Sequence, residues 1–145
     1  MGKEDIAPVG GPLVPVTSLR VLLVEDNELV AHSLAALLRS GGHRVDVAHT
    51  GAAALDAAGA CPPHLALVDI GLPDMSGFEV ADRLRRQEGL GGILLVALTG
   101  QGDDETRRLG AEAGFADLLS KPVNLDGLHG VLSRAAASPP RHASA

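Results

Sequence analysis

The chain is nearly without aromatic residues, with two Phe, no Tyr and no Trp among 145 residues. Aromatic faces are what usually stack bases and grip sugars, so those ligand classes lose their ordinary surface. Cysteine is as scarce. A lone Cys61 can neither close an internal disulfide nor build a cysteine metal cluster, and it reads as an inert thiol in a reducing compartment. Positive charge is also short: 12 Lys and Arg against 18 Asp and Glu leave a net charge of −6, which repels a phosphate backbone. Nucleic acid is not an expected partner. No apolar run approaches the roughly 18 residues of a membrane span, and the opening Met1-Gly2-Lys3-Glu4-Asp5 sets acids where a signal peptide needs positive charge. A cytoplasmic protein without a membrane partner is expected. No G-x-G-x-x-G follows the first apolar run, which argues against a dinucleotide, and His32, His43, His49, His64, His129 and His142 show no ligand spacing.

What remains is the composition of one ordinary globular domain, 46% apolar and 21% charged. Residues 1–18, with Pro8, Gly10, Gly11, Pro12 and Pro15, read as a flexible leader. The domain is expected over 19–135, with a disordered tail over 136–145 once Pro139 halts the last helix. Short apolar runs at 19–24, 65–68 and 93–98 predict buried strands, alternation at Val45 and Val47 predicts another, and 115–119 a fifth. Between them, Val30, Leu34, Leu37 and Leu38 mark one helix face ending at Gly41-Gly42. Thr50 caps an Ala-rich helix over 51–60. Ser76 with Glu79 reads as a capping box for a helix carrying Phe78, Ala81 and Leu84. Asp103 and Asp104 open a helix to about Ala113, and Leu125, Leu128, Val131 and Leu132 mark a last one.

Five strands alternating with five helices predict an α/β fold, a doubly wound parallel sheet whose strand carboxyl ends share one edge. Glu25, Asp26, Asp69, Thr99 and Lys121 all stand at such ends. Each alone has a plain structural reading as a helix-dipole partner, a turn former or a solvated charge; their coincidence is what matters. Three carboxylates in one crevice repel by roughly 4 kcal/mol per pair at about 4 Å and an effective dielectric of 20. A hard dication relieves this, and oxygen ligands alone select Mg²⁺, with Mn²⁺ as the other option. Lys121 and Thr99 would then face the oxygens of a phosphoryl group, and Asp69 would be its nucleophile.

Val24-Glu25-Asp26-Asn27, Val68-Asp69-Ile70-Gly71-Leu72-Pro73-Asp74-Met75-Ser76-Gly77, Ala97-Leu98-Thr99-Gly100 and Ser120-Lys121-Pro122-Val123 resemble, in order and spacing, the response-regulator receiver domains of bacterial two-component phosphorelays. The resemblance implies a flavodoxin-like sheet of order 2-1-3-4-5. It implies Asp69 as phosphoacceptor, Asp26 as direct metal ligand, Glu25 acting through water and the Gly71 backbone carbonyl as a further ligand. By the same resemblance Thr99 is the switch hydroxyl, Lys121 pairs with Asp69, and a cis Lys121-Pro122 bond aims the amine inward. Gly71 and Gln101 hold the positions that tune dephosphorylation, and here they predict a phosphate that turns over rather than one lasting days. Leu118 stands where receivers commonly carry a switch aromatic, so an inward-turning ring cannot be the output device.

The expected function is that of a phosphoacceptor, not an enzyme. A sensor or hybrid histidine kinase, or a histidine phosphotransfer protein, supplies the phosphoryl group. Output passes to a protein target through the fourth helix, fifth strand and fifth helix over 103–133. A single-domain regulator or phosphate shuttle without a DNA-binding domain fits that reading. Two alternatives are a phosphorylation-independent scaffold and a Mg²⁺-dependent aspartate-nucleophile phosphatase. The second lacks the usual general acid two residues past the nucleophile, where Gly71 stands, a loss worth roughly 10² to 10⁴ in rate.

Overall fold

A computed structural model of the chain describes residues 18–87, 89–100 and 102–137. Ten elements alternate strictly. The strands are β1 (Arg20–Val24), β2 (Arg44–Ala48), β3 (Leu65–Asp69), β4 (Leu94–Thr99) and β5 (Asp117–Ser120). The helices are α1 (Glu28–Ser40), α2 (Gly51–Ala60), α3 (Gly77–Arg86), α4 (Asp104–Ala113) and α5 (Leu125–Ala137). All five strands are parallel and lie in the order β2-β1-β3-β4-β5. The leader expected over 1–18 lies outside the described residues except for Ser18, as does the tail beyond Ala137. The last helix runs to Ala137, two residues past the expected domain boundary and short of Pro139, because the run Ala135-Ala136-Ala137 propagates a helix well. No helix among the described residues is long and apolar enough to cross a membrane.

Composition of the three central strands follows from burial on both faces. Every residue of β3 is buried, and neighbouring side chains alternate between two cores. Leu23, Leu65, Leu67 and Leu98 meet α1 and α5 on one side, while Leu22, Val24, Ala66, Val68 and Ala97 meet the other helices. Each fully buried Leu of this kind contributes about 1.5–3 kcal/mol. On the first helix the buried stripe is Ala31, Leu34, Ala35 and Leu38, rotated from the expected one, and Leu37 is exposed. The two alanines let α1 lie close to the sheet, which turns the larger Leu37 outward. The same rotation exposes Leu125 and buries Leu128, Val131 and Ala135 on α5.

The fifth strand starts two residues later than expected and runs on to Ser120. Gly114 ends α4 in a left-handed conformation, φ 107°, and Phe115 then drops into the core edge-on to Phe78, so the strand begins only at Asp117. Caps fall on the residue types expected of them. Asn27, Thr50, Ser76 and Asp103 each accept from a backbone N–H three residues on. The box at Ser76 closes on one side: the Glu79 amide reaches Ser76, while the Glu79 carboxylate pairs with Arg83 at 2.6 Å.

Candidate functional site

The sheet register brings the acids together. Val24 pairs with Val68, so the next residues on each strand, Glu25 and Asp69, emerge side by side at the carboxyl edge. The Glu25 amide still donates to Ala48 O at 3.0 Å, which keeps that residue in the sheet before the chain turns. Its carboxylate bends back so that Oε2 accepts from the Asn27 amide at 3.1 Å. Asn27 in turn caps α1, so the helix start fixes where both acids point. Glu25 is 1% exposed and Asp69 6%, whereas Asp26 faces solvent. Ligand oxygens of the three carboxylates lie within 4.8 Å of one another.

Lys121 arrives from the far side. Thr99 pairs with Ser120 at the end of β4, and the Lys121 amide donates to Thr99 O at 2.8 Å. The Lys121-Pro122 bond is cis, as the resemblance implies. The ammonium Nζ sits 2.7 Å from Glu25 Oε1 and 3.1 Å from Asp69 Oδ2. The short approach to Glu25 is a buried ion pair, and Oε1 has no hydrogen-bond partner beyond that ammonium among the described residues. Thr99 is buried at the carboxyl end of β4, beside the acceptor strand.

The environment separates the two buried acids. Burial pushes Glu25 above the usual carboxylate range, and the opposing contacts with Lys121 and the Asn27 amide only partly offset it. Burial acts the same way on Asp69, but there the Gly71 amide, at 3.0 Å from Oδ1, and the Lys121 ammonium outweigh it and hold the carboxyl below its ordinary value. For Lys121 burial favours loss of the proton, and the two carboxylates more than reverse that. The crevice therefore holds an ionised Asp69, a cationic Lys121 and a carboxyl, Glu25, on which charge is least comfortable. All-oxygen donors and a buried carboxylate oxygen short of a hydrogen bond are what a hard dication satisfies, so the residues fit Mg²⁺.

The remaining positions fall around this centre. Gly71 sits directly beyond Asp69, and a Cβ placed there would meet no heavy atom within 4 Å, so the approach over it is open. Leu118 pairs with Ala97 and packs at the edge of the core, where it lines a cavity of about 150 Å³ together with Gly110 and Phe115. Gln101 lies outside the described residues. Three supports were missed at the level of sequence. His49 Nδ1 lies 2.8 Å from Glu25 O, and both carboxylate oxygens of Asp74 accept from the start of α2, at Gly51 N (2.8 Å) and Ala52 N (3.0 Å). Gly77 packs so tightly under the acceptor strand that a Cβ would fall 2.5 Å from Asp69 O. Of these, only the loop Asp followed by Ser and Gly carried a signal, that of a turn.

Comparison with known proteins places these features in a wider set. Residues 21–133 match the family model described as the response regulator receiver domain. The sensor histidine kinase AtsR of Burkholderia thailandensis is 36% identical over 134 residues, covering 90% of this chain and 22% of that protein. The transcriptional regulatory protein TcrA of Mycobacterium tuberculosis is 38% identical over 113 residues, 78% of this chain and 44% of its own length. The chain thus spans less than half of these curated relatives. Among solved structures, the chemotaxis response regulator CheY4 of Vibrio cholerae superposes with a TM-score of 0.77 at 28% identity, covering 82% of this chain and 99% of that one. The non-phosphorylated HemR receiver domain of Leptospira biflexa gives 0.71 at 31% identity, over 80% and 92%.

Proposed function

The chain belongs to the response regulator receiver domains of two-component systems, and from that membership we infer that it accepts a phosphoryl group on Asp69 from a phosphohistidine donor. The observation that carries this is the ammonium of Lys121 3.1 Å from Asp69 Oδ2, with Glu25 and Asp26 gathered beside the same carboxylate. A nucleophile, a fixed cation and metal-capable acids occupy one rim, which is what phosphoryl transfer by positioning and charge neutralisation needs.

A carboxylate oxygen of Asp69 forms the new O–P bond as the donor's P–N bond breaks, and the departing imidazole nitrogen takes a proton from solvent. The lowered pKa of Asp69 keeps it an ionised nucleophile at neutral pH. Lys121 follows the charge from carboxylate to phosphate, and the Thr99 hydroxyl donates to a phosphoryl oxygen. Mg²⁺, or Mn²⁺, would be held by Asp26 and Asp69 directly, by Glu25 through water and by the Gly71 carbonyl, and would neutralise charge on the phosphoryl oxygens. The open approach over Gly71 admits water, so the acyl phosphate is expected to turn over rather than persist for days, with Gln101 as its further tuning position. The donor is a sensor or hybrid histidine kinase or a histidine phosphotransfer protein, the compartment is the cytoplasm, and the output surface for a protein target is the face made by α4, β5 and α5.

Incubation of the protein with Mg²⁺ and acetyl phosphate, followed by intact-mass measurement, tests this. One phosphoryl adduct is expected on the wild type and none on Asp69→Asn. An unmodified wild type with every donor tried overturns the reading in favour of a phosphorylation-independent scaffold. Sustained release of phosphate from a soluble ester would point to a phosphatase instead.

A further inference from the structure

The β1–β2 end of the sheet's amino edge, opposite the acidic cluster, carries the reverse charge. Arg20 and Arg44 are direct partners in the β1–β2 register, and like charges set side by side on neighbouring strands repel. Arg39, in the last turn of α1, joins them, and the three arginines with His43 line a cavity of about 510 Å³. Two of the forks are anchored but not used up. Arg20 Nε donates to Pro62 O at 2.9 Å and Arg39 Nη2 to Val45 O at 2.9 Å, which fixes the stems and leaves other N–H groups of each fork available. The Arg44 side chain has no hydrogen-bond or ion-pair partner among the described residues. His43 Nδ1 accepts from the Leu19 amide at 3.2 Å, so its proton is on Nε2, a further donor. Against these stands one lining carboxylate, Asp46.

We propose that this cavity binds the phosphate of a small organic phosphate monoester of about mononucleotide size. A carboxylate offers two oxygens and is saturated by one guanidinium fork, whereas a phosphate monoester offers three and can be shared by forks on adjacent strands. The volume lies within the roughly 300–1,000 Å³ of small-molecule sites, well beyond what a bare anion fills. Cys61 and the arginine stems give the organic portion apolar surface. The site is separate from the acceptor centre, since β1 runs five residues between the two edges, about 17 Å at 3.3 Å per residue.

Adenosine monophosphate is the probe, titrated calorimetrically into the full chain in EDTA so that divalent binding at the acidic rim plays no part. Saturable binding with a dissociation constant on the order of 1 mM or tighter is expected. Amide chemical-shift changes should centre on Arg20 and Arg44 rather than on Gly71 and Thr99. Arg44→Ala should weaken binding about tenfold or more, as expected for losing charge-assisted hydrogen bonds, and Arg83→Ala, on the exposed face of α3, should leave it unchanged. Inorganic phosphate should bind at the same place but more weakly, and adenosine should not bind. The proposal is overturned by an absence of saturable binding, by shifts centred elsewhere, by Arg44→Ala matching the wild type, or by adenosine binding as well as its monophosphate.

Discussion

At the scale of single residues, the site works by giving two adjacent carboxyls unequal surroundings. Asp69 has a backbone donor and a cation against it, while Glu25 is more deeply buried and incompletely bonded. Removing the cation in Lys121→Ala is expected to slow adduct formation with acetyl phosphate on the order of 10²-fold, the usual loss of one preorganised charge-stabilising donor, and intact-mass time courses measure it. A second residue-level expectation concerns His43, whose burial lowers its pKa from the ordinary 6.5. The unfolded chain then takes up the proton first as pH falls, so the stability this residue contributes is complete above 6.5 and is lost below it, towards the folded value. Protonation also removes the lone pair that accepts the Leu19 amide. Urea midpoints at neutral and mildly acidic pH should fall more for the wild type than for His43→Gln.

At the scale of elements, the loop after β3 is fastened at two points. Gly77 leaves no room for a Cβ, which would sit 2.5 Å from Asp69 O and 2.6 Å from Ile70 Cα, both rigid backbone. Gly77→Ala is therefore expected to cost about 1–3 kcal/mol by overpacking and to lower phosphorylation together with the thermal midpoint. The second fastening is Asp74, which accepts from the Gly51 and Ala52 amides of α2, while the next amide, Ala53, donates to the Thr50 cap. Thr50→Ala should cost about 1 kcal/mol, seen in chemical denaturation. The Asp74 carboxyl is held below its usual range by its bonds to Gly51 and Ala52, so its contribution to stability is present above the unfolded carboxyl value and is lost as pH falls through the folded one.

At the scale of the whole molecule, one sheet separates two cores, and a cavity in either should be felt globally. Leu67→Ala, at a fully buried central position, should destabilise by about 2–5 kcal/mol, read as a lower midpoint with phosphorylation retained where the variant is folded. The architecture itself was legible because the central strands, buried on both faces, leave apolar runs that stop at Glu25, Asp69 and Thr99, and with Lys121 at the end of the half-buried β5 those stops are the site. Helix faces were less so: Ala31 and Ala35 outcompete Val30 and Leu37 for the core through close packing, which hydrophobicity alone does not rank. Bonds between side chains and remote backbone were invisible, as with His49 on Glu25 and Asp74 on α2, since they depend on how loops meet. Arg20 and Arg44 are distant in sequence, and only the strand register makes them neighbours.

The ammonium lodged between Glu25 and Asp69 makes the rim partly self-compensating. A protein with three bare carboxylates there would lean on an external ion for its integrity. This one carries an internal counterion, so stripping divalents with a chelator should silence phosphoryl acceptance while barely moving the melting temperature.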